Sequence, residues 1–309
     1  MLAERPVLTS IAMHRSESLH LDVRGLRYHV RAWGPAEAPK LVMLHGWMDV
    51  SASFQFVVDA LRGPWRVLAP DWRGYGLTDR GGADCYWFPD YVADLDRLLD
   101  ALSPEVPVRL AGHSMGGNVA CLYAGVRPER VAALINLEGF GLTATQSHNA
   151  PRRYARWLDE LRDPAALRDY ESFDALAARL RQQNPRLTAE RAAFLARHWG
   201  ADAGGRVVLR GDPAHKIVNP VQYQLDEARA CWRAVSAPVL WVQGADTATP
   251  GMLGLSAADL AERKACFANL TERVLPDCGH MLHHDQPARL AEEIEAFLAV
   301  ADRGQPQGG

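Results

Sequence analysis

Several things that this chain of 309 residues lacks narrow what it can be. No apolar run approaches the roughly 20 residues that cross a bilayer; the longest are strand-sized. The opening MLAERPVLTSIAMHR has neither the apolar stretch nor the small-residue cleavage site of a secretory signal. Cysteine is sparse, and its five positions (Cys85, Cys121, Cys231, Cys266 and Cys278) include no CxxC pair. An odd count without paired spacing argues against a disulfide framework and against a zinc site, and a reducing, cytoplasmic setting fits that usage. Cys121 is expected as a small core residue, and Cys278 as a packing residue close to His280. Blocks of like charge are missing too. Lys and Arg total 34 against 37 Asp and Glu, for a net charge of −3, which excludes the basic footprint of a nucleic-acid binder. The densest basic stretch, Arg152 to Arg197, is interrupted by Asp159, Glu160, Asp163, Asp169 and Glu190, so it reads as solvated helix faces. GxGxxG and GxxxxGK[ST] are both absent, leaving a nucleotide site without support. No internal repeat and no Gly/Ser linker divides the chain.

What is present is the composition of a globular protein, 48% hydrophobic and 23% charged. LHLDVRGLRYHVRAWG alternates apolar and polar residues around Arg24–Gly25, the pattern of a hairpin. Short apolar runs then alternate with amphipathic stretches. KLVMLHG, WRVLAPDWRG, VPVRLAGHS and VAALINLEG read as strands; SASFQFVVDALR, YVADLDRLLDALS and MGGNVACLYAGV read as helices. Such alternation implies an α/β architecture with a mostly parallel sheet and helices on both faces. Between Phe140 and Arg233 the strand signal vanishes behind APRRYARWLDELR, FDALAARLRQQN and LTAERAAFLARHW. Strands resume at APVLWVQGAD and ERVLPDCGH, and PARLAEEIEAFLAVA closes as a helix. The expectation is a core of residues 14–139 and 234–301, a helical lid of residues 140–233 inserted between two strands, and flexible termini at 1–13 and 302–309.

The chemistry centres on Gly112-His113-Ser114-Met115-Gly116, a GxSxG pentapeptide with a strand before it and a helix after it. A nucleophilic hydroxyl must be lifted above the sheet on a sharp, strained turn, and the flanking positions then crowd neighbouring backbone so that glycine fits. The helix that follows points its N-terminus at the site, favouring developing negative charge.

From LHGW through DWRGYGLTD and GHSMGG to DCGHMLHHDQP, the sequence resembles the α/β-hydrolase superfamily over nearly its whole length. LHGW, GHSMGG and LEGFG resemble its serine hydrolase-like esterases. The resemblance implies an eight-stranded sheet, Ser114 as nucleophile and His280 as general base, with His283 and His284 as competing bases. It also implies an oxyanion hole from the backbone N–H groups of Trp47 and Met115. His45, Asp49, Asp71, Arg73, Gly74 and Gly76 take structural roles. Two carboxylates keep the order serine, acid, histidine: Glu138 after VAALINL, which is favoured, and Asp246 after PVLWVQ, the alternative. The commoner family position falls on Thr247, one residue beyond Asp246. A metal reading of the histidine cluster finds no ligand spacing and no acidic partner in the sequence, so neither metal nor cofactor is expected. The substrate is expected to be a small-molecule ester in a pocket containing Trp47, Met115, Phe140 and Trp157. Lactone, thioester, amide or C–C cleavage, and a binding or signalling protein with vestigial catalysis, stay open. Epoxide-hydrolase and dehalogenase chemistry is disfavoured, because those branches carry aspartate where Ser114 stands. No nucleic-acid or membrane partner is expected, and nothing bears on oligomeric state.

Overall fold

The computed structural model describes residues 13–304. Eight strands form one sheet: β1 (Glu17–Val23), β2 (Leu26–Trp33), β3 (Lys40–Leu44), β4 (Arg66–Pro70), β5 (Val108–His113), β6 (Val131–Leu137), β10 (Val239–Gly244) and β11 (Leu270–Leu275). Their order is β1-β2-β4-β3-β5-β6-β10-β11, antiparallel for the first two strands and parallel from β4 onward. The opening hairpin turns where the alternation places it, with Arg24 and Gly25 both at positive φ, 50° and 79°, as a two-residue hairpin turn requires.

The strands from β3 to β10 are buried on both faces, so successive side chains feed two cores. Val42, Leu44 and Leu110 face α2 (Phe88–Leu102) and α3 (Met115–Val126) through Leu95, Leu99, Val119 and Tyr123. Leu41, Met43, Ala111 and Ile135 face the closing helix α11 (Pro287–Ala301) through Leu290, Ile294 and Leu298. The chain reverses its direction of travel across the sheet at β3, passing first to β4 and then back to β5. Crevices at such switch points, outside the carboxyl ends of the strands, are where open α/β sheets bind ligands.

Several segments differ from expectation. SASFQFVVDALR forms no long helix: a 3₁₀ turn, Ser51–Phe54, runs into the four-residue α1 (Gln55–Val58). The turn is buried throughout, and Ser51 N–H donates to Asp71 Oδ1 at 2.7 Å. Between β6 and β10 lie α4 (Ala150–Arg162), β7 (Asp169–Tyr170), α5 (Phe173–Gln183), α6 (Ala189–Trp199), β8 (Gly200–Asp202), β9 (Val207–Leu209) and α7 (Leu225–Arg233). The insertion is therefore not purely helical, for β7, β9 and β8 form an antiparallel three-stranded sheet. Strands of two or three residues are too short to leave a period-two signature. Leu176, Leu180, Leu195 and Val207 give the insertion a small core of its own. Its last helix, α7, instead joins the main core through Ala228 and Trp232. There α7 meets α3 so closely that a Cβ on Gly125 would fall 1.9 Å from the Cys231 carbonyl oxygen.

Beyond β10 come α8 (Thr249–Met252), α9 (Ala257–Lys264) and, after β11, α10 (Leu282–Asp285). Asp302–Gly304, expected as part of a loose tail, continue α11 as a 3₁₀ turn, and Asp302 pairs with Arg109 at 2.7 Å. The flexibility expected of residues 1–12 and 305–309 lies outside the described residues. Among the described residues, no helix is long and apolar enough to cross a membrane.

Candidate active site

Four strands deliver their carboxyl ends to one edge of the sheet: β3, β5 and β6 lead straight into His45, Ser114 and Glu138, and β11 reaches His280 through a short turn. At the end of β5, Ser114 sits at φ 52°, ψ −114°, a region that side-chain-bearing residues avoid and that costs of order 1–3 kcal/mol. The flanking glycines accommodate the bend. A Cβ on Gly112 would lie 2.3 Å from the Gly116 carbonyl oxygen, and one on Gly116 would lie 2.2 Å from that of Leu44. Because α3 begins at Met115, the Met115 N–H is one of the unpaired donors of a helix's first turn.

His280 follows β11 and turns its ring toward Ser114, with Nε2 3.0 Å from the serine Oγ. Its Nδ1 lies 3.0 Å from Glu138 Oε2. Glu138 stands one residue past β6 with its side chain fully buried and its backbone at φ 59°. Two more donors fix the carboxylate: Gly244 N–H to Oε1 at 2.7 Å and the Thr247 hydroxyl to Oε2 at 2.6 Å. The structure thus brings Glu138 to His280 and does not bring Asp246 there. Asp246 turns outward, half exposed, and pairs with Arg186 at 2.7 Å. Thr247, at the commoner acid position, serves as a donor to the carboxylate from the neighbouring strand.

The loop after β3 carries His45, Gly46 and Trp47. His45 is buried, accepts the Trp72 N–H at Nε2 (2.9 Å) and donates from Nδ1 to the Gly46 carbonyl (2.8 Å). Burial holds its pKa below the ordinary value, so it is a neutral brace for the loop. His113 is buried as well, with Nε2 2.8 Å from the His280 carbonyl oxygen. Asp71 receives Ser51 N–H, Leu77 N–H and His29, and Arg73 pairs with buried Asp94 of α2, so the two fasten the segment after β4 to its neighbours. His283 and His284 point into the interior, where the fold supplies the acidic neighbour that their sequence surroundings lack: Asp49, on the far side of the chain's folding path.

A cavity of about 710 Å³ opens over Ser114 and Met115. Trp47 and Phe140 line it as expected, but Trp157 is not in its lining. The sequence reading missed His215, Tyr86, Tyr91 and Tyr223, which do line it. The aromatic cluster Tyr86-Trp87-Phe88 at the start of α2 is a signal visible in the sequence; nothing local marks His215. That residue sits between the rings of Tyr75 and Tyr86, each stacked at 3.8 Å. Its Nδ1 approaches the Tyr91 hydroxyl at 3.2 Å, and its backbone carbonyl accepts the Trp47 indole N–H at 3.2 Å.

Burial holds His215 neutral, its pKa lowered from 6.5 to about 3. In the unfolded chain it takes its proton near the ordinary value. The native state therefore has this residue's full contribution above about pH 6.5 and loses about 1.4 kcal/mol per pH unit as pH falls from there toward 3. Urea unfolding between pH 7 and 4 should reveal proton uptake on unfolding, and His215→Gln should reduce that uptake by about one proton. An unchanged pH slope in the variant would remove His215 from this account.

Comparison with known proteins agrees with this architecture. The sequence profile described as "alpha/beta hydrolase fold" matches residues 39–287. A serine hydrolase-like protein of Danio rerio is 26% identical over 97% of this chain and 95% of its own length. A 3-hydroxybutyrate-oligomer hydrolase of Cupriavidus necator is 30% identical over 89% of this chain and 93% of its own. Among solved structures, the thioesterase domain from the curacin biosynthetic pathway superposes with a TM-score of 0.82 at 26% identity, covering 91% of this chain and 99% of that one. With the profile covering most of its length and the sheet order and strand-end site in place, the chain belongs to the alpha/beta hydrolase fold family.

Proposed function

We propose that this protein is a serine hydrolase that cleaves carboxylic esters through an acyl-enzyme at Ser114. The observation that carries the reading is the continuous line Ser114 Oγ, His280, Glu138, with both contacts at 3.0 Å. His280 Nε2 removes the hydroxyl proton as Oγ attacks the ester carbonyl, and the N–H groups of Trp47 and Met115 receive the oxyanion. Collapse of the tetrahedral adduct expels the alcohol, which takes the proton from His280. Water then attacks the acyl-enzyme with the same imidazole as base, releasing the acid and restoring Ser114. Glu138 stabilises the imidazolium and fixes its tautomer.

The aromatic lining (Trp47, Tyr86, Phe88, Tyr91, Phe140 and Tyr223) favours an apolar acyl or alcohol portion over a charged one. The oligomer hydrolase and thioesterase named above act by hydrolysis, in keeping with this chemistry, and thioesters are the nearest alternative substrates. The five cysteines are all free, in keeping with a reducing, cytoplasmic setting. The test is hydrolysis of p-nitrophenyl esters of graded acyl length, together with labelling by a fluorophosphonate probe. Turnover that peaks at a medium acyl chain, with stoichiometric labelling, is expected. Folded protein that neither labels nor turns over any ester of the series would leave a binding protein in place of an enzyme.

A further inference from the structure

Asp49, in the loop after β3, and His283 and His284, on α10, bring possible ligand atoms within 4.8 Å of one another. All three residues are buried, at 2%, 0% and 2% exposure. Among the described residues, Asp49 Oδ2, both ring nitrogens of His283 and Nε2 of His284 have no hydrogen-bond partner. Folded proteins leave few buried polar atoms unsatisfied, and four in one cluster ask for an explanation. Asp49 Oδ2 and His283 Nε2 face each other at 3.4 Å, a long contact that attracts but falls short of a well-formed hydrogen bond. That separation is what two neighbouring ligands adopt around a tetrahedral zinc ion, whose bonds to nitrogen and oxygen run about 2.0–2.2 Å.

The surroundings hold these groups in place. Asp49 Oδ1 accepts the Val50 N–H at 2.8 Å and the Ser53 hydroxyl, which leaves Oδ2 as the available oxygen. The His283 ring is packed by Phe54 (5.3 Å), His284 (4.1 Å) and His113 (4.4 Å). This packing limits how far the His283 ring can turn, and an ion bound through one of its nitrogens leaves the other for a buried water.

We propose that Asp49, His283 and His284 form an interior site for a divalent transition-metal ion, with zinc the best match to two imidazole nitrogens and one carboxylate oxygen. A water molecule completes the tetrahedron. The ion cross-links the loop after β3 to α10, a bond between segments 234 residues apart in sequence (283 − 49). It touches no part of the Ser114 line directly, so this site stands or falls independently of the hydrolase reading.

The experiment uses the full chain without a purification tag, produced in zinc-supplemented medium and passed through gel filtration after dialysis. About one zinc per chain is expected by elemental analysis, with a thermal midpoint that drops by several degrees when a strong chelator strips it. Cobalt in its place should give the visible absorption bands of a four-coordinate ion. Asp49→Asn and His284→Gln should lose the metal and the chelator effect. X-ray absorption on the zinc-loaded wild type, which needs no variant to fold, should report two imidazoles and one carboxylate. Zinc below about a tenth per chain, a midpoint indifferent to chelator, or full retention of metal in both folded variants would each overturn the proposal, leaving buried water as the occupant.

Discussion

Replacing Ser114 by alanine is expected to lower kcat for ester hydrolysis by about 10⁶-fold and to abolish fluorophosphonate labelling, with KM nearly unchanged. The change removes only Oγ. Alanine keeps the Cβ and meets the same strained φ of 52°, so the bend and its flanking glycines stay as they are, and the thermal midpoint should move by no more than a few degrees. What remains is stabilisation of the oxyanion by backbone N–H groups and by binding, which acts even without a nucleophile. Steady-state kinetics beside a circular-dichroism melt separate loss of chemistry from loss of fold. A folded alanine variant that kept even about 1% of the activity would place the nucleophile elsewhere.

The next largest effect is expected at Glu138. Glu138→Gln should cost about 10³–10⁴ in kcat, whereas Asp246→Asn should stay within about threefold. The first figure follows from the donors that meet the carboxylate. Gly244 N–H and the Thr247 hydroxyl already point at its two oxygens, and His280 Nδ1 shares Oε2 with Thr247. Glutamine has one oxygen to offer, so its amide N–H₂ must face a donor or face His280. Facing His280, it reverses the tautomer and leaves Nε2 protonated beside Ser114. Asp246 loses only an exposed ion pair with Arg186, and such pairs contribute about 1 kcal/mol or less. Kinetics of the two variants side by side check the ranking; a larger loss at Asp246 would reassign the acid. Adding Thr247→Asp to Glu138→Gln places a carboxylate next to the one removed, and partial recovery of kcat is expected.

The parts of this site that were legible in the sequence are those whose physics is local. GHSMG announces itself because a strand, a bend and a helix must follow one another with glycines at fixed offsets. His280 is singled out by the family resemblance, since His283 and His284 share its place between the last strand and the closing helix. The acid was harder. Glu138 and Asp246 both end strands at the same sheet edge, and only the direction of each side chain in space separates the buried one from the one paired with Arg186. Asp49 lies beside His283 because two distant loops fold together, which no spacing rule anticipates. His215 lines the cavity for the same reason. Amphipathic periodicity gave α5 and α6, but it could not give strands of two or three residues such as β7 and β9. Trp157 was expected at the pocket because it is aromatic and lies in the insertion; the apolar stripe of a helix shows which residues share a face, not what that face meets.

The stacking of His215 between Tyr75 and Tyr86 bears on how substrate gets in. Tyr86 also hydrogen-bonds to Asp212 at 2.9 Å, and Tyr75 bridges to Gly211, so residues 211–215 are riveted to the main body beside the cavity. The insertion cannot swing away as one hinged flap without tearing out that rivet. By contrast α4 has no fully buried residue and is held through Arg153 to the Asn219 carbonyl and through Glu160 to the Val218 N–H, each at 2.6 Å. Hydrogen exchange should therefore find the amides of α4 opening well before those of β9, the insertion loosening helix by helix instead of lifting as one body.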